Sequence, residues 1–133
     1  MFTEVNKNVS LAKVKLESYI NKNTIEIKDK LNSNDIEVIV LGDGDKIINQ
    51  YPSKGNTVIG GDKVILMTND SNIKMPNING WSRQDAIGLF NLVEMKYEIE
   101  GYGFINEVSI KKGEKINSDS KIKITLVSKY ELE

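Results

Sequence analysis

The chain has 133 residues, 18 Lys and Arg against 19 Asp and Glu (formal net charge -1), 39% hydrophobic residues, and neither Cys nor His. That length holds one ordinary domain or two very small ones, with a globular balance of residue types. A disulfide framework, a Zn site of the usual kind, a Cys nucleophile and a Ser-His-Asp triad are excluded, and near-neutral charge removes the footprint of a nucleic-acid binder.

Residues 1–13 form a leader outside any repeating pattern; Val5 and Val9 have helix-turn spacing, but a linker is the simpler reading. The first 25 residues hold no apolar run suited to a signal peptide, and no stretch downstream approaches 18 apolar residues, so this segment is not expected to insert in a membrane. After a short lead strand, Asn23 and Glu26 stand at helix-capping positions, with Ile27 and Leu31 facing a core. Ile36, Val38 and Val40 then alternate with other residues as in a half-buried strand. Gly42 and Gly44 suggest a tight hairpin into a strand over 46–51, Gly55 marks a turn, and a last strand covers 63–68.

The polar join at 69–72 leads into the same series again, offset by 59 residues at first and by 58 later. Ser82 and Asp85 open a helix with Ala86, Leu89, Phe90 and Val93 on one face. Met95, Tyr97 and Ile99 alternate with Lys96, Glu98 and Glu100; Gly101 and Gly103 mark the hairpin; strands follow over 104–110 and 121–127 around Gly113. The chain is therefore expected to be α+β, with a leader at 1–13 and two tandem units at 14–69 and 70–133. Each unit is one helix packed on a three-stranded antiparallel sheet with a short lead strand. Units of this size are marginal alone, so the copies are expected to pack together.

Several chemistry-like patterns dissolve on inspection. Ser10–Lys13 and Ser118–Lys121 spell S-x-x-K, but the chain has no S-x-N or K-T-G element to accompany them. Asp43 and Asp45 lack the third ligand and the closing Glu of a calcium loop, so no metal is expected. Glu98 and Glu100 share a strand face that should meet water. No cofactor is expected either. Trp81, Arg83 and Tyr102 remain as ligand-binding candidates: aromatic rings stack on pyranose faces, and an Arg beside them can reach a carboxylate. For Trp81, a hydrophobic staple or inter-unit packing is the favoured role, and Tyr102 should be exposed.

The segment Met75-Pro76-Asn77-Ile78-Asn79-Gly80-Trp81-Ser82 resembles the opening motif of PASTA domains, modules shared by penicillin-binding proteins and bacterial Ser/Thr kinases. The first copy lacks the opening proline, with Leu16-Glu17-Ser18-Tyr19 in its place. It keeps Gln50-Tyr51-Pro52-Ser53-Lys54-Gly55, similar to the family's Gln-Ser-Pro-x-x-Gly. The variant with Gly80-Trp81-Ser82 and Asp85 is more similar to the pair at the C-terminus of class B penicillin-binding proteins. The resemblance implies a non-catalytic module on the extracellular face of a Gram-positive-like cell, following a membrane-anchored transpeptidase domain. Its implied partners are peptidoglycan or muropeptide fragments, the parent transpeptidase domain, or division proteins acting at the septum. The alternative it implies is the ligand-sensing extracellular region of a kinase.

Overall fold

The computed structural model describes residues 13–128. The elements run β1 (Lys13–Lys15), α1 (Thr24–Asn32), β2 (Glu37–Leu41), β3 (Ile47–Tyr51), β4 (Thr57–Ile59), β5 (Lys63–Thr68), α2 (Arg83–Val93), β6 (Lys96–Gly101), β7 (Phe104–Val108) and β8 (Lys121–Val127). The leader, Lys13 apart, lies outside the described residues, as does the S-x-x-K beginning at Ser10.

Both helices start where the caps predict. The Asn23 side chain accepts from the Glu26 N–H, and that of Ser82 from the Asp85 N–H, each satisfying one amide that the first helical turn leaves open. Leu31 is the buried anchor of α1, whereas α2 buries Ala86, Gly88, Leu89, Phe90, Leu92 and Val93. The repeat extends to single hydrogen bonds. Leu16 N–H donates to the Asn56 carbonyl as Met75 N–H does to that of Glu114, and Gly55 donates to Leu16 as Gly113 does to Met75.

The α+β class and the two units are as expected, but the strand order is not. The sheets run β2-β5-β3 and β6-β8-β7, with the last strand of each unit in the centre. That strand is parallel to the first and antiparallel to the second, so each sheet is mixed and the Gly-x-Gly segments are not hairpins. They cross over the end of the central strand, which explains the glycines differently. A Cβ on Gly101 or Gly103 would run into the carbonyl oxygen of Leu126 or Val127, and both residues have positive φ, +89° and +109°. In the first unit the corresponding crossing closes over Thr68. The Thr68 Oγ1 donates to the Leu41 carbonyl at 2.7 Å and accepts from the Gly44 N–H at 3.0 Å. The lead strand β1 pairs with β4 in a small antiparallel sheet, while the second unit keeps only a single bridge there, Lys74 to Lys115.

Two cores result. One lies between α1 and the first sheet and contains Leu16, Tyr19, Leu31, Ile36, Ile47, Val64 and Leu66. The other is shared between the units: Leu41 and Ile65 of the first join Leu89, Phe90, Leu92, Ile122 and Ile124 of the second, with Ile39, Tyr51 and Met67 packed against them. Strand β5 therefore sends Val64 and Leu66 to α1, and Ile65 and Met67 to α2. Val64, Ile65 and Leu66 are all fully buried. The layers stack as α1, first sheet, α2, second sheet, and α2 is clasped on two sides.

Candidate functional site

The junction between the units forms an open cleft of about 750 Å³, lined on one side by Asn49, Tyr51, Pro52 and Asn56 and on the other by Arg83, Gln84, Ile87 and Asn91. Its first wall is held by Gln50, 8% exposed and fully engaged. The Gln50 Oε1 accepts from the Tyr19 N–H at 2.7 Å, and its Nε2 donates to the Glu17 and Pro52 carbonyls at 3.0 and 3.2 Å. Gln50 thus fastens the turn to the start of the unit and is not free to meet a ligand. The Tyr51–Pro52 peptide is cis.

Tyr51 spans the junction. Its ring lies on Gly88 of α2, where a Cβ would stand 2.6–2.7 Å from Cγ, Cδ1 and Cε1. Its hydroxyl donates to Asp85 Oδ1 at 3.3 Å and reaches the Gln84 carbonyl at 3.4 Å. Burial, then the charge of Asp85 and the hydrogen bond to it, push the phenol above its ordinary value of 10.0, because each disfavours a phenolate there. A base is not what this geometry makes.

The three sequence candidates divide. Trp81 is 5% exposed, and Lys63 Nζ of the first unit sits 5.5 Å from its ring centroid. That makes it part of the junction, with no open face for a sugar. Arg83 is exposed at the start of α2 and lines the cleft. It also lines a second, smaller hollow of about 430 Å³ with Ile99, Gly101 and Tyr102. Tyr102 is 90% exposed, held out between its two glycines. Arg83 and Tyr102 are thus brought together, and Trp81 belongs instead to the buried core. Among the described residues, the side chains of Arg83, Gln84 and Asn91 have no hydrogen-bond or ion-pair partner.

Sequence reasoning missed Tyr51, Gly88 and Lys63. A glycine inside an otherwise apolar helix is a signal of close approach, and Gly88 was legible on that ground. Glu98 and Glu100, singled out earlier, stand apart from these cavities: Glu98 pairs with Lys121 at 3.2 Å and Glu100 with Lys123 at 3.5 Å, all on the exposed face of the second sheet. Among the described residues no cluster of acidic side chains is placed to hold a metal ion. The arrangement can bind; no nucleophile-and-base pair faces the cleft.

Comparison with known proteins locates the repeat. The family model described as PASTA domain matches residues 14–70 and again residues 73–128. Among solved structures, penicillin-binding protein 2X from Streptococcus thermophilus is similar over 88% of this chain at 24% identity and a TM-score of 0.75. The chain spans 17% of that protein's length. A three-PASTA-domain region of a Ser/Thr kinase from Staphylococcus aureus is similar over 84% of this chain and 65% of its own, at 22% identity and a TM-score of 0.35.

Proposed function

The chain belongs to the PASTA family, with two domains in tandem, and on that premise we propose that it is the binding and positioning module of a cell-division penicillin-binding protein. PASTA domains are non-catalytic extracellular binding modules of penicillin-binding proteins and Ser/Thr kinases. No helix among the described residues is long and apolar enough to cross a membrane. In this reading the module follows a membrane-anchored D,D-transpeptidase domain and works at the septal wall of a Gram-positive cell. Its two domains correspond to 14–69 and 70–133, with 1–13 as the connection.

The observation that carries the reading is the stacked pair itself, similar as a whole to the corresponding stretch of a penicillin-binding protein. A stack in which α2 is shared between units suits a rigid spacer, where a kinase sensor calls for an extended array. The cleft supplies the binding half. Arg83 suits the carboxylate of a peptide stem; the amides of Gln84 and Asn91 suit acetamido and peptide groups; Tyr102 offers a ring to a pyranose face. Trp81, buried two residues before Arg83, anchors the start of the helix that presents it. Septal partners and the parent transpeptidase domain are the remaining contacts of the proposal.

Calorimetric titration with a muropeptide carrying a free stem carboxylate tests the binding half. Saturable binding is expected in the millimolar range, weakened roughly fivefold by Arg83→Ala, the loss of about 1 kcal/mol typical of an exposed charge pair. Absence of saturable binding, or an unaffected Arg83→Ala variant, refutes this site. Ligand-driven dimerisation in sedimentation would favour the kinase sensor instead.

A further inference from the structure

The two sheets are built alike and finished differently. On the face that receives α2, the first sheet presents Ile39, Ile65 and Tyr51 in one cross-strand row, and Leu41, Met67 and the polar Asn49 in the next. The matching face of the second sheet presents Glu98, Lys123 and Ser109, then Glu100, Thr125 and Glu107. Every apolar residue of the first set is replaced by a charged or hydroxyl-bearing one. Glu98 and Glu100 are neutralised by Lys121 and Lys123, so the face is comfortable in water. The helices differ in the same sense. Where α2 has Gly88 beneath the Tyr51 ring and the buried Leu92 one turn on, the matching positions are Asp29 in α1 and its C-cap Ser33, both exposed.

We infer that unit-on-unit stacking in this chain is specified by these matched positions, and that both outer faces of the pair are stops. A further copy of the unit cannot seat its helix on the second sheet, because doing so would strip water from three carboxylates (Glu98, Glu100 and Glu107) and two ammonium groups (Lys121 and Lys123) with no new partners. No other sheet seats on α1, because Asp29 occupies the place where the incoming ring would lie. Repeat proteins need polar outer faces on their terminal units for solubility; the second sheet carries one here, and the outer side of α1 is polar at Asp29 and Ser33, with Ile25 (68% exposed) its one large apolar residue. The stack is closed at two, whatever else the parent protein contains.

The test extends the chain by one unit. Residues 1–126 are followed directly by a second copy of residues 69–128, in one version unchanged. In another, the second sheet carries Glu98→Ile, Glu100→Leu, Ser109→Tyr, Lys123→Ile and Thr125→Met. Small-angle scattering should show the unchanged chain extended and the converted chain more compact. The converted radius of gyration should fall by several Å toward the value near 16 Å expected of a compact chain of about 190 residues. Equal compactness in the two, or a converted chain that folds and stays extended, overturns the inference. The reverse exchange needs no added unit. Ile39→Glu with Ile65→Lys should undock α2, shifting Trp81 emission to the red and splitting thermal unfolding into two steps while secondary structure is retained. Unchanged emission with a single step contradicts it.

Discussion

Gly88→Ala probes the junction with one methyl group. Two opposing effects are in play. Replacing a helix-interior glycine by alanine stabilises the helix by about 1 kcal/mol. The new Cβ, however, would lie 2.6–2.7 Å from three ring atoms of Tyr51, well inside van der Waals contact. The ring cannot retreat freely, since it packs against the shared core and its hydroxyl is bonded to Asp85. Overpacking of this kind costs about 1–3 kcal/mol, so the net change should lie between about zero and 2 kcal/mol destabilising. The magnitude becomes decisive in a double-mutant cycle. With Tyr51→Ala in the background, the clash is gone and Gly88→Ala should stabilise by about 1 kcal/mol. The coupling between the two positions is then about 1–3 kcal/mol, well above the few tenths expected of independent sites. Urea unfolding followed by Trp81 fluorescence reads all four corners, Trp81 being the only tryptophan. Additivity within about 0.5 kcal/mol would refute the reasoning, because residues 51 and 88 would then not be in contact.

Thr68→Val should destabilise by about 1–3 kcal/mol in the same assay, because it leaves the buried Leu41 carbonyl and the Gly44 N–H without their shared partner. Asp70 accepts from the Asp43 and Asn72 N–H groups, and these bonds, then Lys74, hold its carboxyl below the ordinary 3.8. A lowered folded value contributes stability that is present above 3.8 and lost as pH falls through the folded value, so Asp70→Asn should flatten the acid limb of a pH–stability curve. Tyr51 shows the opposite sign: a phenol raised above 10.0 favours the folded state below that pH, and the contribution fades as pH rises through the folded value. Tyr51→Phe should therefore reduce the loss of stability above pH 10, measured by urea midpoints across the alkaline range.

Local features were legible wherever one residue's chemistry decides them. The caps at Asn23 and Ser82, the core face of α2 and the outward Glu98 and Glu100 all follow from side-chain type and spacing, and the structure places them as expected. Strand order was not legible, because alternation reports which face is buried and is silent on which neighbour is parallel. Reading Gly-x-Gly as a hairpin supplied the wrong neighbour. The same glycines serve a crossing, where the obstacle is the backbone of a strand twenty or more residues away. The stacking was partly written in β5, whose Val64-Ile65-Leu66-Met67 is apolar on both faces, while Lys121–Val127 alternates. A strand buried on both sides needs a second layer, and the neighbouring helix provides it. At the candidate site, Arg83 and Tyr102 could be picked by type, but their meeting at one hollow depends on the crossing at 101–103. Trp81 illustrates the converse: an aromatic residue at the start of a helix acquires its role from Lys63, a residue of the other unit.

The account turns on the two PASTA units behaving as one body through the shared α2. Nitrogen-15 relaxation of the labelled chain measures this directly. It should yield a single rotational correlation time for residues 13–128, with the amide of Gly88 as rigid as those of β5. Two distinct correlation times, one for each unit, would contradict it.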